Sequence, residues 1–452
     1  MDSPKQNIDL KVAITNKQIL QIGLPIAAAI VVPQINFITN NIFLGRLNQQ
    51  ALAVAGITGV YYLVFAVIGI GLNNGLQALI SRRAGENRID EIGHLFSQGA
   101  RLAFLLALIG IIITWFIAPV ILKWSMHDEH TITMAVHFLR IRIVGLIFLY
   151  LYQMRNALLV GTNQSKYLVI GTASEAISNM ILDYGLIYGK LGLPKLGFNG
   201  AAYASVIAEF IGLASIFLVI HFKGIIKQLH LFNHWNYNAK NTKLILIQSL
   251  PLIGQHAISI ISWEFFYILI EHHGTRELAI SNTMRNIFGF FGCFTWAFAA
   301  TTNTMVSNII GQGLHERVNE LIFKIIKISV FFSCVVGILV NVFPETLLSI
   351  YGQGDDFIKA AIPVLRIVSV AMMLMSFAVI WLNAVTGTGN SKMNLLIEAF
   401  AIFFYIIYVY LVLEKFNLPI TYGWMSEWLY WICMFIPSYL YIKGGRWKKL
   451  KI

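Results

Sequence analysis

Cysteine is nearly absent from this chain: three residues in 452, with no CxxC pair and no Cys/His cluster. That argues against a disulfide framework and a zinc centre. Cys293, Cys334 and Cys433 read as small apolar residues inside hydrophobic stretches. Charge is also scarce. Asp, Glu, Lys and Arg together make up 12% of the residues, about half the share of a soluble domain. No GxxxxGK[ST] phosphate loop occurs, so the chain carries no nucleotide motor of its own, and neither GxSxG nor HExxH appears. A hydrolase lacks its nucleophile or its metal ligands here, and the expectation is a protein that is not an enzyme, with no cofactor and no metal. Acidic residues are the scarcer sign, 21 against 33 basic ones, giving a net charge of +12. The segment from Met1 to Lys17 is polar and has no short apolar core with a cleavage site, so no removable signal peptide is expected.

What is abundant is apolar surface. Hydrophobic residues make up 57% of the chain, and mean hydropathy is +0.70. Apolar runs of about 20 residues, long enough to cross a ~30 Å hydrocarbon core as helices, recur twelve times. They fall at 18–45, 51–79, 94–122, 132–160, 167–189, 199–222, 243–271, 276–306, 321–344, 358–387, 393–414 and 418–442.

The second large feature is self-similarity at an offset of 226 residues. Leu24-Pro25 falls on Leu250-Pro251, and Leu52-Ala53 on Leu278-Ala279. Ser81 and Gly85 fall on Ser307 and Gly311, and Leu139-Arg140-Ile141 on Leu365-Arg366-Ile367. Gly161-Thr162 and Ser165-Lys166 fall on Gly387-Thr388 and Ser391-Lys392. Each copy holds six spans, and an even number returns the chain to its starting side, so the copies lie parallel. The predicted fold is an all-α polytopic membrane protein: twelve transmembrane helices in two parallel pseudo-symmetric six-helix bundles.

The organisation follows from the spans. Residues 1–17 form a cytoplasmic N-terminal segment, 18–222 an N-terminal lobe, 223–242 a cytoplasmic linker, 243–442 a C-terminal lobe and 443–452 a basic cytoplasmic tail. Most Lys and Arg residues lie at the N-terminus, after even-numbered spans and at the C-terminus, among them Arg82, Arg83, Lys223, Lys227 and Arg446. Both termini are therefore expected in the cytoplasm, with the chain in the inner membrane. The net charge then reflects topology and calls for no nucleic-acid partner. The linker reads as an amphipathic stretch at the interface. Its His230 and His234 stand four apart, the spacing of a helical metal site, but no carboxylate flanks them.

Polar residues inside spans carry the functional signal, because a charge at the bilayer centre costs roughly 2.5–3.5 kcal/mol on insertion scales. In span 5, Glu175, Asn179 and Asp183 follow at i, i+4 and i+8, on one helix face. They form either a cation or proton site, with Asp183 titrating, or a polar clasp between helices. In span 7, Glu264 sits among Trp263, Phe266 and Tyr267, a setting suited to a cation by charge and by cation–π contact, or to a bond with a neighbouring helix. Glu209, Glu398 and Glu427 are weaker candidates, and Glu398 follows Lys392 closely enough to lie near the interface. Arg140 and Arg366 are the same position in the two copies and read as snorkelling scaffold. Arg155 and Arg285 are not duplicated, and either is placed to neutralise an acid. Pro25 and Pro251 fall early in the first span of each copy, where a proline kinks a helix and provides a hinge or a static bend.

Several phrases resemble the multidrug and toxic compound extrusion (MATE) family. They are Leu24-Pro25, then Asn41-Ile42-Phe43-Leu44-Gly45-Arg46-Leu47 with Ala51-Leu52-Ala53, and Asn179-Met180-Ile181-Leu182-Asp183 followed by Gly197-Phe198-Asn199-Gly200-Ala201-Ala202. The resemblance runs over about 18–442. In the family's DNA-damage-inducible branch it implies an N-lobe cluster that falls here on Asn40, Asn156, Asn179 and Asp183. Asn40 stands where that branch has an Asp, and Glu175, one turn before Asn179, is placed to compensate. In the NorM-like branch it implies a span 7 Glu, here Glu264, with a span 10 Asp, and span 10 here has no acid. The implied function is a cation-coupled antiporter, driven by H⁺ or Na⁺ and exporting amphipathic organic cations by alternating access. Such a protein has the lipid bilayer around it and acts as a monomer. Trp263, Phe266 and Tyr267 would help hold the substrate, and Pro25 would be the hinge. The alternatives are a lipid-linked oligosaccharide flippase of the same superfamily and a non-transporting receptor or scaffold.

Overall fold

In a bilayer only a helix or a closed barrel satisfies every backbone amide, and this chain is helical throughout. The computed structural model describes residues 9–450, apart from residue 48, residues 126–127 and residue 234, and it contains no strand among them. His234 of the linker pair lies outside the described residues, and His230 pairs instead with Asp90 at 2.6 Å.

Twelve helical rods match the twelve expected spans. The first copy contributes α1 (Asn16–Leu47), α2 (Gln49–Gly85), α3 (Ile89–Ser125), α4 (Glu129–Gly161), α5 (Leu168–Tyr188) and α6 (Phe198–Phe222). The second contributes α7 (Ala239–Glu271), α8 (Thr275–Gly311), α9 (Val318–Val342), α10 (Asp355–Gly387), α11 (Ser391–Val409) and α12 (Ser426–Lys443). Among the described residues nine rods are long and apolar enough to cross a membrane. The other three, α5, α8 and α12, bury polar groups: Asp183 on α5, the run Thr301–Thr304 on α8, Glu427 on α12. Tertiary burial, rather than local hydropathy, carries these three. A 3₁₀ turn at Ile143–Gly145 interrupts α4, and a π turn at Tyr410–Lys415 closes α11.

The chain divides into two compact units. One holds Ala28–Ser249 together with the segment ending at Leu10; the other holds Lys11–Ala27 and Leu250–Ile452. The first helix of each copy therefore begins in the unit built by the other copy, and each changes unit beside its proline, Pro25 or Pro251. Both helices stay continuous through that proline.

The segments leading into these two helices are held alike. In the second unit, Val12 N–H donates to Asn308 Oδ1 (3.2 Å), Gln312 Nε2 donates to Val12 O (3.0 Å) and Lys324 Nζ to Ile14 O (3.1 Å). In the first, Gln98 Nε2 donates to Asn236 O (2.8 Å) and Gln98 Oε1 accepts from Asn238 N–H (3.2 Å). Gln98 and Lys324 are the same position of the 226-residue repeat. Polar side chains thus satisfy the extended backbone ahead of both helices, which a composition-based reading treats simply as loop.

Candidate functional site

The first unit encloses a cavity of about 290 Å³. Five helices build it, each through residues at helical spacing. Helix α1 contributes Pro33, Asn36, Asn40 and Leu44; α2 contributes Ala55, Thr58, Gly59 and Tyr62. Helix α4 adds Phe138 and Arg142, α5 adds Glu175 and Asn179, and α6 adds Ala201, Ser205, Ala208 and Glu209. Spacings of three and four residues put one stripe of each helix on one surface.

Behind this wall lies Asp183, wholly buried at 0% exposure. It follows Asn179 by one turn. Oriented so that both ends of its amide are satisfied, Asn179 donates to Asp183 Oδ2 (3.3 Å) and Asn36 Oδ1 (3.0 Å) and accepts from Ser205 N–H (3.3 Å). The other oxygen, Asp183 Oδ1, has no hydrogen-bond partner, and no basic side chain forms an ion pair with the carboxylate among the described residues. Burying an ionised carboxylate without compensation is costly, which sets this position apart from the paired acids of the unit.

The cavity also contains an ion pair that the sequence reading did not single out. Arg142 grips Glu209 with two bonds, Nη2 to Oε1 at 2.7 Å and Nη1 to Oε2 at 3.1 Å. Its Nη1 also donates to Tyr62 OH (3.0 Å), Tyr62 OH donates to Glu209 Oε1 (3.3 Å), and the guanidinium lies 3.9 Å from the Tyr62 ring centroid. Bidentate and cation–π contacts together fix the arginine in one pose. The α4 turn makes room for it: a Cβ on Gly145 would clash with Glu209 Oε2 and come within 2.7 Å of Arg142 Nη1.

Glu175 differs from both other acids. It is half-buried, lines the cavity, and has neither ion pair nor hydrogen bond among the described residues. Helix α6 approaches it closely, since a Cβ on Gly212 would fall 2.9 Å from Glu175 Cβ.

Of the five expected coupling residues, Asn40, Glu175 and Asn179 line one cavity and Asp183 bonds to Asn179. Asn156 does not line it; its amide donates to Gln153 Oε1 (3.4 Å) on its own helix. Among the described residues Arg155 and Arg285 form no ion pair with an acid. Arg155 donates to the backbone carbonyl of Leu213 and lies over Phe217, and Arg285 lies 5.0 Å from the Tyr267 ring centroid. The neutralising cation is Arg142. Its signal was available: Arg140 of the Arg140-Ile141-Arg142 pair recurs as Arg366, whereas Arg142 falls on Val368. Arg140 is exposed and its guanidinium lies 5.2 Å from the Trp115 ring centroid.

In the second unit the aromatic residues around Glu264 are engaged in packing. Phe266 is 1% exposed and meets Trp424 edge-on at 5.3 Å, and Tyr267 OH donates to Ser281 O (3.1 Å). Trp263 Nε1 donates to Glu427 Oε1 (3.1 Å). Glu264 itself is exposed. A helix turns 100° per residue, so Phe266, two positions on, points away from Glu264, while Tyr267, three positions on, lies on its side of the helix; within this unit Phe266 is taken up by core packing and Tyr267 by its bond to Ser281. Phe266→Ala is accordingly expected to cost about 3–5 kcal/mol, read as a lower Tm of the solubilised protein, with the preference between cationic and neutral dyes unchanged. A changed preference at constant Tm would return Phe266 to the substrate.

The acids that are buried here are Glu398 and Glu427, each 1% exposed. Glu398 accepts from Gln255 Nε2 (3.2 Å) and from Tyr430 OH, and Asn394 Nδ2 donates to Gln255 Oε1 (2.6 Å). Glu427 Oε2 accepts from Trp431 Nε1 (3.1 Å). Glu398 is thus held in the core of the unit by donors from α7 and α12.

Comparison with known proteins agrees with this architecture. The MatE family model matches residues 25–185 and again 251–411, two segments displaced by the same 226 residues. A "Probable multidrug resistance protein NorM" of Synechocystis sp. is 24% identical over 348 residues, covering 75% of this chain and 74% of the relative. A protein of the same description from Thermotoga maritima is 23% identical over 440 residues, covering 96% and 93%. Among solved structures, "Crystal structure of MATE in complex with MaL6" aligns with a TM-score of 0.89 at 16% identity, over 98% of this chain and 99% of that one. An outward-facing multidrug resistance MATE family transporter of the MOP superfamily aligns with a TM-score of 0.86 at 18% identity, over 98% and 99%. With both halves matched by one family model and twelve helical rods in two pseudo-symmetric sets, the chain belongs to the MatE family of membrane transporters.

Proposed function

We propose that the protein is a cation-coupled antiporter that exports organic cations by alternating access, with Asp183 as the coupling carboxylate. The observation that carries this reading is the position of Asp183: fully buried, one oxygen unpartnered, joined through Asn179 to a polar cavity. A group that must hold a proton or Na⁺ when closed and can release it when open changes the charge of the site in step with conformation. A ligand shifts a conformational equilibrium only by its differential affinity for the two states. The coupling ion and a cationic substrate supply that difference when they compensate the same negative region in turn.

Asn40 stands where a branch of the family has an acid, and Glu175 provides the second carboxylate of the cavity. Glu264 is a further contact for the substrate's charge; its aromatic neighbours are not. Pro25, beside the point where α1 changes unit, is the proposed hinge. The relatives named as multidrug resistance proteins support drug-like substrates. The proposal places the chain as a monomer in the inner membrane with both termini cytoplasmic.

Dye efflux in everted vesicles tests the reading. An imposed proton gradient or an imposed sodium gradient is expected to drive efflux, and the one that does identifies the ion. Efflux indifferent to both gradients would overturn coupling.

A further inference from the structure

The cavity of the first unit is unevenly supplied with hydrogen-bonding groups. Its one guanidinium, Arg142, is held twice by Glu209 and once by Tyr62. Thr58 donates to Val54 O (2.8 Å) within its own helix, and Asn36 and Asn179 bond to each other. On the acceptor side, the Glu175 carboxylate has no donor among the described residues, and Asn40 Oδ1 has none among them either. The wall therefore offers negative charge and lone pairs that a ligand must meet with N–H groups.

It also offers little to a cation that lacks them. A quaternary ammonium ion has a diffuse charge, makes no N–H bond and favours open aromatic faces. Among the described residues two aromatic side chains line the cavity, Tyr62 and Phe138. One face of Tyr62 is covered by Arg142 at 3.9 Å, and Phe138 stacks on Phe198 with centroids 4.4 Å apart. The volume, about 290 Å³, lies at the lower end of ligand pockets and suits a small amine or the amine end of a larger molecule.

We propose that this cavity selects protonated amines that carry at least one N–H donor over quaternary ammonium ions, with Glu175 as the anionic contact. The proposal rests on the reading of the chain as an exporter of organic cations and names the class of cation. Glu175 forms a charge-assisted hydrogen bond with the ammonium N–H, and Asn40 accepts a further N–H where the ligand has one. Replacing the last N–H by methyl removes that bond and leaves the carboxylate facing an alkyl shell.

The test is binding to the full-length protein in nanodiscs, without any ion gradient. The probes are 2-phenylethylamine and its N-methyl, N,N-dimethyl and N,N,N-trimethyl analogues, all cationic at pH 7. The dissociation constant is expected to change little over the first two methyl groups and to rise about tenfold or more at the third, the loss of one charged hydrogen bond. An even decline with every methyl group would mark a steric limit and overturn the proposal, as would equal or tighter binding of the trimethyl compound or binding of none. Glu175→Gln is expected to weaken the amines and to collapse the ratio between dimethyl and trimethyl compounds toward one, while Glu175→Asp retains a preference. A ratio unchanged in Glu175→Gln would remove Glu175 from the contact. The wild-type series needs no variant to fold. Failure of the antiport reading alone would appear as gradient-independent efflux in vesicles, with amine selectivity intact.

Discussion

Asp183→Asn is expected to bring gradient-driven efflux down to the level of vesicles without the protein while leaving the fold intact. The substitution is nearly isosteric. It keeps an acceptor toward Asn179, whose amide lies 3.3 Å from Asp183 Oδ2, and it removes the only group there that can exchange a positive charge. The energetic asymmetry favours a clean experiment. Asparagine needs no proton or cation to be buried, so the cost of neutralising the site on closure is gone and Tm should stay the same or rise. Asp183→Glu makes the complementary case. The site is 0% exposed, and an extra methylene in a close-packed interior costs typically 1–3 kcal/mol. The charge is kept and the position altered, so that variant is expected to lose stability first and to keep a residue of driven efflux. Proteoliposome efflux with Tm measured on the same preparations separates the two. Retained driven efflux in Asp183→Asn would remove this carboxylate from coupling.

The sequence carried the architecture because the architecture is periodic. Run length, a constant 226-residue offset and an even number of spans per copy are one-dimensional quantities, and twelve rods follow from them. The stripe Glu175, Asn179, Asp183 was legible for the same reason: residues four apart share a helix face whatever the tertiary structure. What one dimension does not carry is the identity of the partner across helices. Arg142 and Glu209 are 67 residues apart, and nothing in either local window marks them as a pair. Phe266 and Tyr267 adjoin Glu264 in sequence, yet their helix turns them into the core of the unit, where Trp424 and Ser281 receive them. Adjacency in sequence did not show this packing, and separation in sequence concealed the ion pair. The repeat offered a correction. Arg142 falls on Val368, Glu209 on Phe435 and Tyr62 on Phe288, so every member of the clamp breaks the symmetry, as Asp183, opposite Val409, does. Departures from the repeat mark this site better than local composition.

That clamp yields the second large effect. Arg142→Leu leaves Glu209, 6% exposed, as an unpaired buried carboxylate, and breaking such a pair from one side costs about 3–5 kcal/mol. The variant is expected to lose several degrees of Tm in detergent and to bind amines poorly, because Tyr62 and Glu209 both lose the group that holds them. Removing both charges is a different perturbation. Arg142→Leu combined with Glu209→Leu leaves no uncompensated ion, and replacing a buried pair by apolar residues is often neutral or stabilising. The double variant should therefore regain most of the lost Tm. Ligand binding distinguishes a structural clamp from a selective one. If the pair only braces α2, α4 and α6, the double variant recovers amine binding along with stability. If Arg142 also shapes the ligand site, the double variant regains Tm while amine binding stays weak. If the single variant were as stable as the wild type, neither role would stand, because the geometry requires Glu209 to be costly alone. On the proposed reading, coupling rests on Asp183 behind the cavity wall, selectivity on Glu175 and stability on the paired Glu209 in the cavity, and each is separable by substitution.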